Sequence, residues 1–155
     1  MSSPASSPHL DEDALELLRA FCAHDVRFLI VGAHALGVHG APRATGDLDL
    51  WVEPVPANAQ RTWAALEDFG APLFDLTPED LITPGVVFQM GVAPFRIDLA
   101  TELTGITFEE GWEGHVEIEV AGLRLPVISR PAMVRNKRAT GRPKDLLDLV
   151  LLGES

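Results

Sequence analysis

Apolar residues recur at intervals of three and four in several segments of the chain, which is the spacing of one face of an α-helix. Residues 11–25 place Leu15, Leu18 and Phe21 on one side of such a helix. The segment begins with acidic residues, which the helix dipole favours at that end. The same spacing predicts four further helices and one helical turn. The helices are expected at 33–40, 57–69, 130–140 and 142–152, and the turn at 78–82.

Shorter segments that alternate apolar and polar residues, or are rich in β-branched residues, predict strands. These segments are 27–32, 46–52, 85–91, 94–101, 115–122 and 124–129. Only Val92 and Ala93 separate the third from the fourth, so these two strands should form a β-hairpin. We therefore expect an α/β (α+β) fold, in which one domain has a mixed β-sheet with flanking helices.

The length and composition describe a globular protein, with 155 residues of which 46% are hydrophobic. We assign residues 1–10 to a flexible N-terminal tail and residues 11–155 to one domain. The tail lacks the apolar stretch of a signal peptide, and no later segment reaches the roughly 20 apolar residues that span a bilayer. The single cysteine, Cys22, excludes an internal disulfide. We therefore expect a cytoplasmic protein with no membrane partner.

Charge is distributed unevenly along the chain, whose formal net charge is −11. Residues 1–123 contain 5 Arg and 20 acidic residues, whereas residues 124–155 contain 5 Arg, both lysines of the chain and 3 acidic residues. The lysines are Lys137 and Lys144. A solvated basic helix surface would give this pattern. A localised anion site explains it better, because positive charge in an acidic protein collects where an anion is held.

Two aspartates interrupt the apolar strand at 46–52. Asp47 and Asp49 alternate with leucines, and residues two apart in a strand point to the same face, ~6.6 Å from each other. Asp98 has the same polar position in the strand at 94–101. If the two strands are neighbours, three carboxylates share one patch, and such a cluster requires protonation or a bound cation. Mg²⁺, which prefers oxygen ligands and is often shared with substrate phosphates, meets that requirement.

Two further features predict an anion-binding site near these aspartates. The strand that ends near Gly32 leads directly into a helix, whose free N–H groups can bind an anion. Arg43 and Thr45 precede the aspartates closely enough to reach the same anion. The alternative is that the first two aspartates lie on a solvated edge strand and are unrelated to the third.

The segments VGAHALGVHGAPRATGDLDLWV and RIDLA resemble the polymerase-β-like nucleotidyltransferase superfamily. The signature of that superfamily is a Gly-Ser or Gly-Gly turn that opens a helix, a D-x-D strand and a third Asp on a later strand. The segment VRNKRATGRPKDLLDL resembles the closing motif of a narrower group, the minimal AbiEii-like nucleotidyltransferases associated with toxin–antitoxin and phage-defence systems. Together the matches cover about residues 27–52, 94–101 and 134–152.

The resemblance implies a role for each matching residue. Asp47, Asp49 and Asp98 would be the catalytic residues and would hold two Mg²⁺ ions, and Asp98 would also take the proton of the acceptor. Ala33 replaces the Ser of the Gly-Ser form, so a hydroxyl contact to phosphate is lost unless Thr45 supplies it. The residues expected to bind the nucleotide, the last three next to the leaving pyrophosphate, are Gly32, Ala33, Arg43, Thr45, Lys137, Arg142 and Lys144.

The expected function is Mg²⁺-dependent transfer of NMP from an NTP to an acceptor hydroxyl, with release of pyrophosphate. Two other classes fit parts of the pattern: a non-catalytic module that keeps the fold and binds nucleotide or a partner protein, and a D-x-D glycosyltransferase. The acidic exterior should repel a long polyanion, so we expect a protein or small-molecule acceptor ahead of an RNA 3′ end. The resemblance also suggests a cognate antitoxin or toxin protein as a partner.

Overall fold

The computed structural model describes residues 10–41, 46–91 and 96–154. Within these ranges the chain forms six α-helices, six β-strands and one 3₁₀-helix at Pro78–Ile82. The α-helices are α1 (Glu12–Ala23), α2 (Gly32–Val38), α3 (Pro56–Phe69), α4 (Phe108–Trp112), α5 (Arg130–Thr140) and α6 (Pro143–Leu151). The strands are β1 (Phe28–Val31), β2 (Leu48–Val52), β3 (Val87–Met90), β4 (Ile97–Ala100), β5 (Val116–Val120) and β6 (Leu123–Val127). The expected α+β class is confirmed.

The six strands form one mixed sheet in the order β3-β4-β2-β1-β6-β5. Strand β1 pairs antiparallel with β2 and parallel with β6, and β2 pairs parallel with β4. The outer strands β3 and β5 run antiparallel to their neighbours. Strand β2, which contains Asp49 and directly follows Asp47, therefore lies inside the sheet and not at its edge. It also lies directly beside the strand of Asp98, which is the condition under which the three carboxylates share one patch.

The hydrophobic core covers the central strand on both faces. All four residues of β1 are buried, which is typical of a strand between two covered faces. Helix α1 packs against α3, and α5 packs against α6. In β2, Leu48 and Leu50 are buried, whereas Asp49 between them is partly exposed. The sheet thus directs leucines into the core and the aspartate toward the other face.

Helix α4 was not expected from the hydrophobic pattern. It begins with a capping box, in which Thr107 and Glu110 each accept a hydrogen bond from the backbone N–H of the other. Phe108 then packs edge-on against Trp51, with ring centroids 5.0 Å apart. Gly111 allows the helix to lie this close to Trp51, because a β-carbon at Gly111 would lie 2.6 Å from the Trp51 ring. An aromatic cluster therefore covers the end of β2 that lies beyond the aspartates.

Smaller differences concern the ends of elements. The helix expected at 33–40 begins one residue earlier, at Gly32, and ends at Val38. The pairing of β3 with β4 confirms the expected hairpin strands, but its connection at residues 92–95 lies outside the described residues. Among the residues that the structure describes, no helix is long and apolar enough to cross a membrane.

Candidate active site

The register of the sheet brings the carboxylates together. Asp49 and Asp98 are direct partners in the parallel pairing of β2 with β4. Asp47 immediately precedes β2, and its charge acts on Asp49 together with that of Asp98. Each strand turns its apolar residues into the core, so the aspartates share the opposite face. The arrangement expected from the two-residue alternation is present.

A glycine makes room for the central carboxylate. Gly32 begins α2 with a φ of +69°, and a β-carbon built on it would lie 2.1 Å from Oδ2 of Asp49. Any other residue would therefore collide with the Asp49 side chain, and its backbone would also be strained. The pairing of Val31 with Asp49 across β1 and β2 holds the two positions in this register. The glycine is a packing requirement of the site.

Burial and the neighbouring carboxylates shift the pKa of Asp49. The pKa of Asp49 is raised to about 6, first by burial and then by the carboxylates of Asp98 and Asp47. The positive charges of Lys144 and Arg96 act in the opposite direction. A bound cation would therefore favour the ionised form of Asp49.

Arg96 bridges two of the three aspartates. Its Nε donates to Oδ1 of Asp98 at 3.1 Å, and its Nη2 donates to Oδ2 of Asp47 at 3.2 Å. Sequence reasoning did not assign this role, although Arg96 lies two residues before Asp98 and therefore on the same side of the strand. The guanidinium group compensates the charge of the outer carboxylates.

His34 supports the same region from α2. Its side chain is almost fully buried, with 8% exposure. Burial lowers its pKa, although a hydrogen bond to the main chain of Asp47 and the charge of that residue act to raise it. We infer that the ring anchors the segment that leads into β2, where the first aspartate lies.

The three basic residues predicted to bind the nucleotide are one buried residue and two exposed ones. Lys137 is 7% exposed, and its Nζ lies 2.9 Å from Oδ2 of Asp148 and 3.7 Å from Oδ1 of Asp145. Arg142 and Lys144 are exposed. The ammonium group of Lys137 is thus engaged by two carboxylates of the same domain, while the other two cations reach solvent.

A cavity of about 930 Å³ unites these groups. Eight of the ten predicted site residues line it, and the other two, Arg43 and Thr45, lie outside the described residues. The eight are Gly32, Ala33, Asp47, Asp49, Asp98, Lys137, Arg142 and Lys144. Residues that the sequence did not single out also line it, among them Val87, Glu102 and Leu103. Carboxylates and cations therefore border one space that is large enough for a nucleotide.

The donor set fits Mg²⁺ in its chemistry. Within residues 10–41, 46–91 and 96–154, no three acidic, His or Cys side chains stand in ready coordinating geometry. The three aspartates nevertheless offer only hard carboxylate oxygens, which is the ligand type that Mg²⁺ prefers. The guanidinium group of Arg96 already lies between Asp47 and Asp98, which shows that the cluster accommodates a positive charge there.

No protein-family model and no curated protein matches this sequence. Similar solved structures include the lincosamide antibiotic adenylyltransferase LnuA bound to lincomycin, with a TM-score of 0.58 and 14% identity over 94% of this chain and 98% of that chain. The antibiotic-resistance factor ANT(2'')-Ia has a TM-score of 0.59 and 15% identity over 90% of this chain and 80% of its own. The protein TM1012 from Thermotoga maritima, provisionally assigned as a nucleotidyltransferase, has a TM-score of 0.60 and 11% identity over 92% of this chain and 93% of that chain.

These similarities extend over nearly the whole chain and show that it has the nucleotidyltransferase fold. At identities of 11 to 15% they establish the fold and nothing narrower. The fold expected from the D-x-D strand and the later aspartate is confirmed, and the activity is argued from the site itself.

Proposed function

We propose that this protein is a nucleotidyltransferase that moves NMP from an NTP to an acceptor hydroxyl and releases pyrophosphate. The observation that carries the proposal is the pairing of Asp49 with Asp98 in a cavity that Arg142 and Lys144 also line. Carboxylates beside cations in one cavity suit a reaction in which metal-bound phosphates are positioned and their charge is neutralised.

The three aspartates, Asp47, Asp49 and Asp98, are the residues that would hold Mg²⁺. When bound, the ions supply charge neutralisation for the attacking and leaving oxygens of a phosphoryl displacement. Asp98 lies on β4, beside the pocket, and we assign it the proton of the acceptor hydroxyl. The acceptor oxygen forms a bond to the α-phosphorus while the bond from that phosphorus to the bridging oxygen breaks, and pyrophosphate leaves.

The leaving pyrophosphate needs positive charge, and the exposed cations supply it. Arg142 and Lys144 line the cavity and are exposed, so N–H groups of both residues are available to a phosphate. The start of α2, at Gly32 and Ala33, would offer backbone N–H groups to the other phosphates. Lys137 was expected here as well, and its contact with Asp148 makes it the least available of the three cations.

We propose a small molecule as the acceptor. The cavity includes the apolar residues Val87 and Leu103 and the exposed carboxylate of Glu102, which suit a compact acceptor with positive charge better than a polyanion. LnuA is described as an adenylyltransferase of lincosamide antibiotics, and ANT(2'')-Ia has been solved with adenylyl-2''-tobramycin. A protein acceptor, an RNA 3′ end and a role in a toxin–antitoxin system remain the competing proposals.

A second candidate is a non-catalytic module that binds nucleotide or a partner protein. The contacts of Arg96 with Asp47 and Asp98 favour it, because an arginine that stayed between the carboxylates would occupy the place of a metal ion. Ala33, which lacks the hydroxyl of the Gly-Ser turn, favours it as well. This candidate predicts nucleotide binding without turnover.

The test uses NTPs labelled at the α-phosphate, incubated with the protein, Mg²⁺ and a cell lysate. Separation into RNA, protein and small-molecule fractions then identifies the acceptor class. We expect a new labelled product in the small-molecule fraction, which is absent when the same lysate is incubated with the Asp49→Asn variant. Label in RNA or protein would refute the acceptor proposal alone. Release of nucleoside diphosphate in place of pyrophosphate would indicate a D-x-D glycosyltransferase.

A further inference from the structure

Two aspartates of α6 are buried behind the basic residues of the cavity. Asp145 is 2% exposed and Asp148 is 0% exposed. A buried carboxylate is costly unless it is paired and hydrogen-bonded, so the partners of these two residues reveal what they do. Their partners differ in kind: one is a buried lysine and the other an exposed arginine.

Lys137 and Asp148 form a pair that is closed to ligands. Their Nζ and Oδ2 atoms lie 2.9 Å apart, and both side chains are almost inaccessible. If Lys137 moved to a phosphate, the buried carboxylate of Asp148 would lose its contact with the ammonium group at 2.9 Å. We infer that this pair joins α5 to α6 and contributes to the shape of the cavity wall.

Asp145 and Arg142 form a pair that is open to ligands. Nε of Arg142 donates to Oδ2 of Asp145 at 2.7 Å, and Nη2 donates to Oδ1 at 3.3 Å. The Arg142 side chain is 66% exposed and that of Asp145 only 2%. The buried carboxylate of Asp145 therefore fixes one edge of the guanidinium group. The N–H groups on the other edge point away from that carboxylate.

The carboxylate is itself held in place. Thr140 donates to Oδ2 of Asp145 at 2.6 Å, from the last residue of α5. Burial alone would raise the pKa of Asp145, but hydrogen bonds from Arg142 and Thr140, with the charge of Lys137, bring it down to about 2. Asp145 thus stays ionised at any pH near neutrality, and it can hold Arg142 there continuously.

We propose that Asp145 is a positioning residue, which holds the Arg142 guanidinium at the cavity in the orientation that binds the phosphates of the nucleotide. A free arginine of this exposure would sample many rotamers, and a ligand would have to restrict them on binding. The two hydrogen bonds to Asp145 already restrict the rotamers of Arg142 before a ligand binds. This inference rests on the proposed function for the identity of the ligand, but it concerns phosphate affinity and not turnover.

Calorimetric binding of inorganic tripolyphosphate tests the proposal on the full chain. We expect Arg142→Ala and Asp145→Asn each to weaken binding about 10-fold, the range of one charge-assisted hydrogen bond. The double variant should bind no more weakly than Arg142→Ala alone, because Asp145 acts through Arg142. Unchanged affinity in Asp145→Asn, or losses that multiply in the double variant, would overturn the proposal.

Two exposed substitutions keep the test valid if Asp145→Asn does not fold. Arg142→Lys preserves the charge but cannot form the two-point contact, so it should lose as much affinity as Arg142→Ala. Wild-type affinity in Arg142→Lys would show that charge alone matters and would refute the positioning role. Arg138→Ala removes a positive charge from α5 at a residue outside the cavity lining, and its affinity should stay within about 2-fold of wild type.

The outcome is separable from that of the proposed function. Tripolyphosphate binding with the expected coupling, in a protein that transfers no nucleotide, would support the positioning of Arg142 and refute the transferase. A wild-type protein that does not bind tripolyphosphate would refute the positioning of Arg142, while the transfer assay decides the activity independently.

Discussion

The carboxylate of Asp49 lies against the α-carbon of Gly32, so closely that a β-carbon on the glycine would lie 2.1 Å from Oδ2. This contact joins the beginning of α2 to the centre of the aspartate cluster. Even the methyl group of an alanine at position 32 should therefore displace the carboxylate of Asp49, which lies at the centre of the proposed metal site.

Gly32→Ala should therefore impair both folding and activity. The positive φ and the collision should cost at least about 2 kcal/mol of unfolding free energy, and displacement of Asp49 should lower transfer by about 100-fold or more. Gly40→Ala is the matched control, because Gly40 also has a positive φ, of +98°, but nothing lies within 4 Å of its β-carbon position. Equal losses of activity in the two variants would show that the contact with Asp49 is unimportant.

The raised pKa of Asp49 predicts a pH-dependent effect on stability in metal-free, chelator-treated protein. The pKa of about 6 in the folded protein exceeds the ordinary aspartate pKa of 3.8, so ionisation of Asp49 destabilises the fold as pH rises from about 4 to about 6. Asp49→Asn removes that charge and should be more stable than wild type at pH 7.5 by up to about 3 kcal/mol. At pH 4, where Asp49 is protonated in the folded protein, the gain should be much smaller.

Urea unfolding at both pH values measures this difference. Asp75→Asn, at an exposed acidic residue distant in sequence from the cluster, serves as the control and should change stability equally little at both. A gain for Asp49→Asn that does not depend on pH, or a loss at pH 7.5, would contradict the assignment of a strained carboxylate cluster.

Arg96 and a metal ion should compete for the same oxygens. Without metal, Arg96→Gln removes the cation that bridges Asp47 and Asp98 and should lower the unfolding free energy by up to about 1 kcal/mol, since Arg96 is itself partly exposed. With Mg²⁺ the variant should be stabilised more than wild type, because no guanidinium has to be displaced.

The measurement is the rise in Tm between chelator and saturating Mg²⁺. Arg135→Gln removes an ion pair with Glu110 at 3.0 Å outside the cavity and controls for loss of an arginine. The Mg²⁺-dependent rise in Tm should match wild type in this control. The same rise in Arg96→Gln as in wild type would show that Arg96 does not occupy the position of a metal ion.

The alternation of residues along two strands predicted the face on which the aspartates lie, and the cluster followed once the two strands proved to be neighbours. Leu48 and Leu50 must enter the core, so Asp49 has to point the other way, and the same holds for Asp98 in β4. This local geometry needs no knowledge of distant residues beyond the pairing of the two strands. It is why the sequence predicted the face on which the site lies.

The surroundings of the cluster could not be predicted in the same way. The burial of Lys137 depends on the turn between α5 and α6, which brings Asp148 to its ammonium group. The contact of Arg96 with Asp47 joins residues 49 positions apart. Helix α4 has only five residues, which is too short for a hydrophobic period to appear. In each case tertiary packing, and not local sequence, decides the outcome.

The central claim is that the cavity transfers NMP, and the most direct measurement follows two labels of one NTP in parallel reactions. With Mg²⁺ and the acceptor fraction identified in lysate, label at the α-phosphate should appear in the acceptor and label at the γ-phosphate in pyrophosphate, in equal amounts. Asp98→Asn should abolish both while retaining tripolyphosphate binding, because Arg142 and Lys144 are unchanged. Wild-type protein that binds NTP but moves neither label, or an Asp98→Asn variant as active as wild type, would contradict the account.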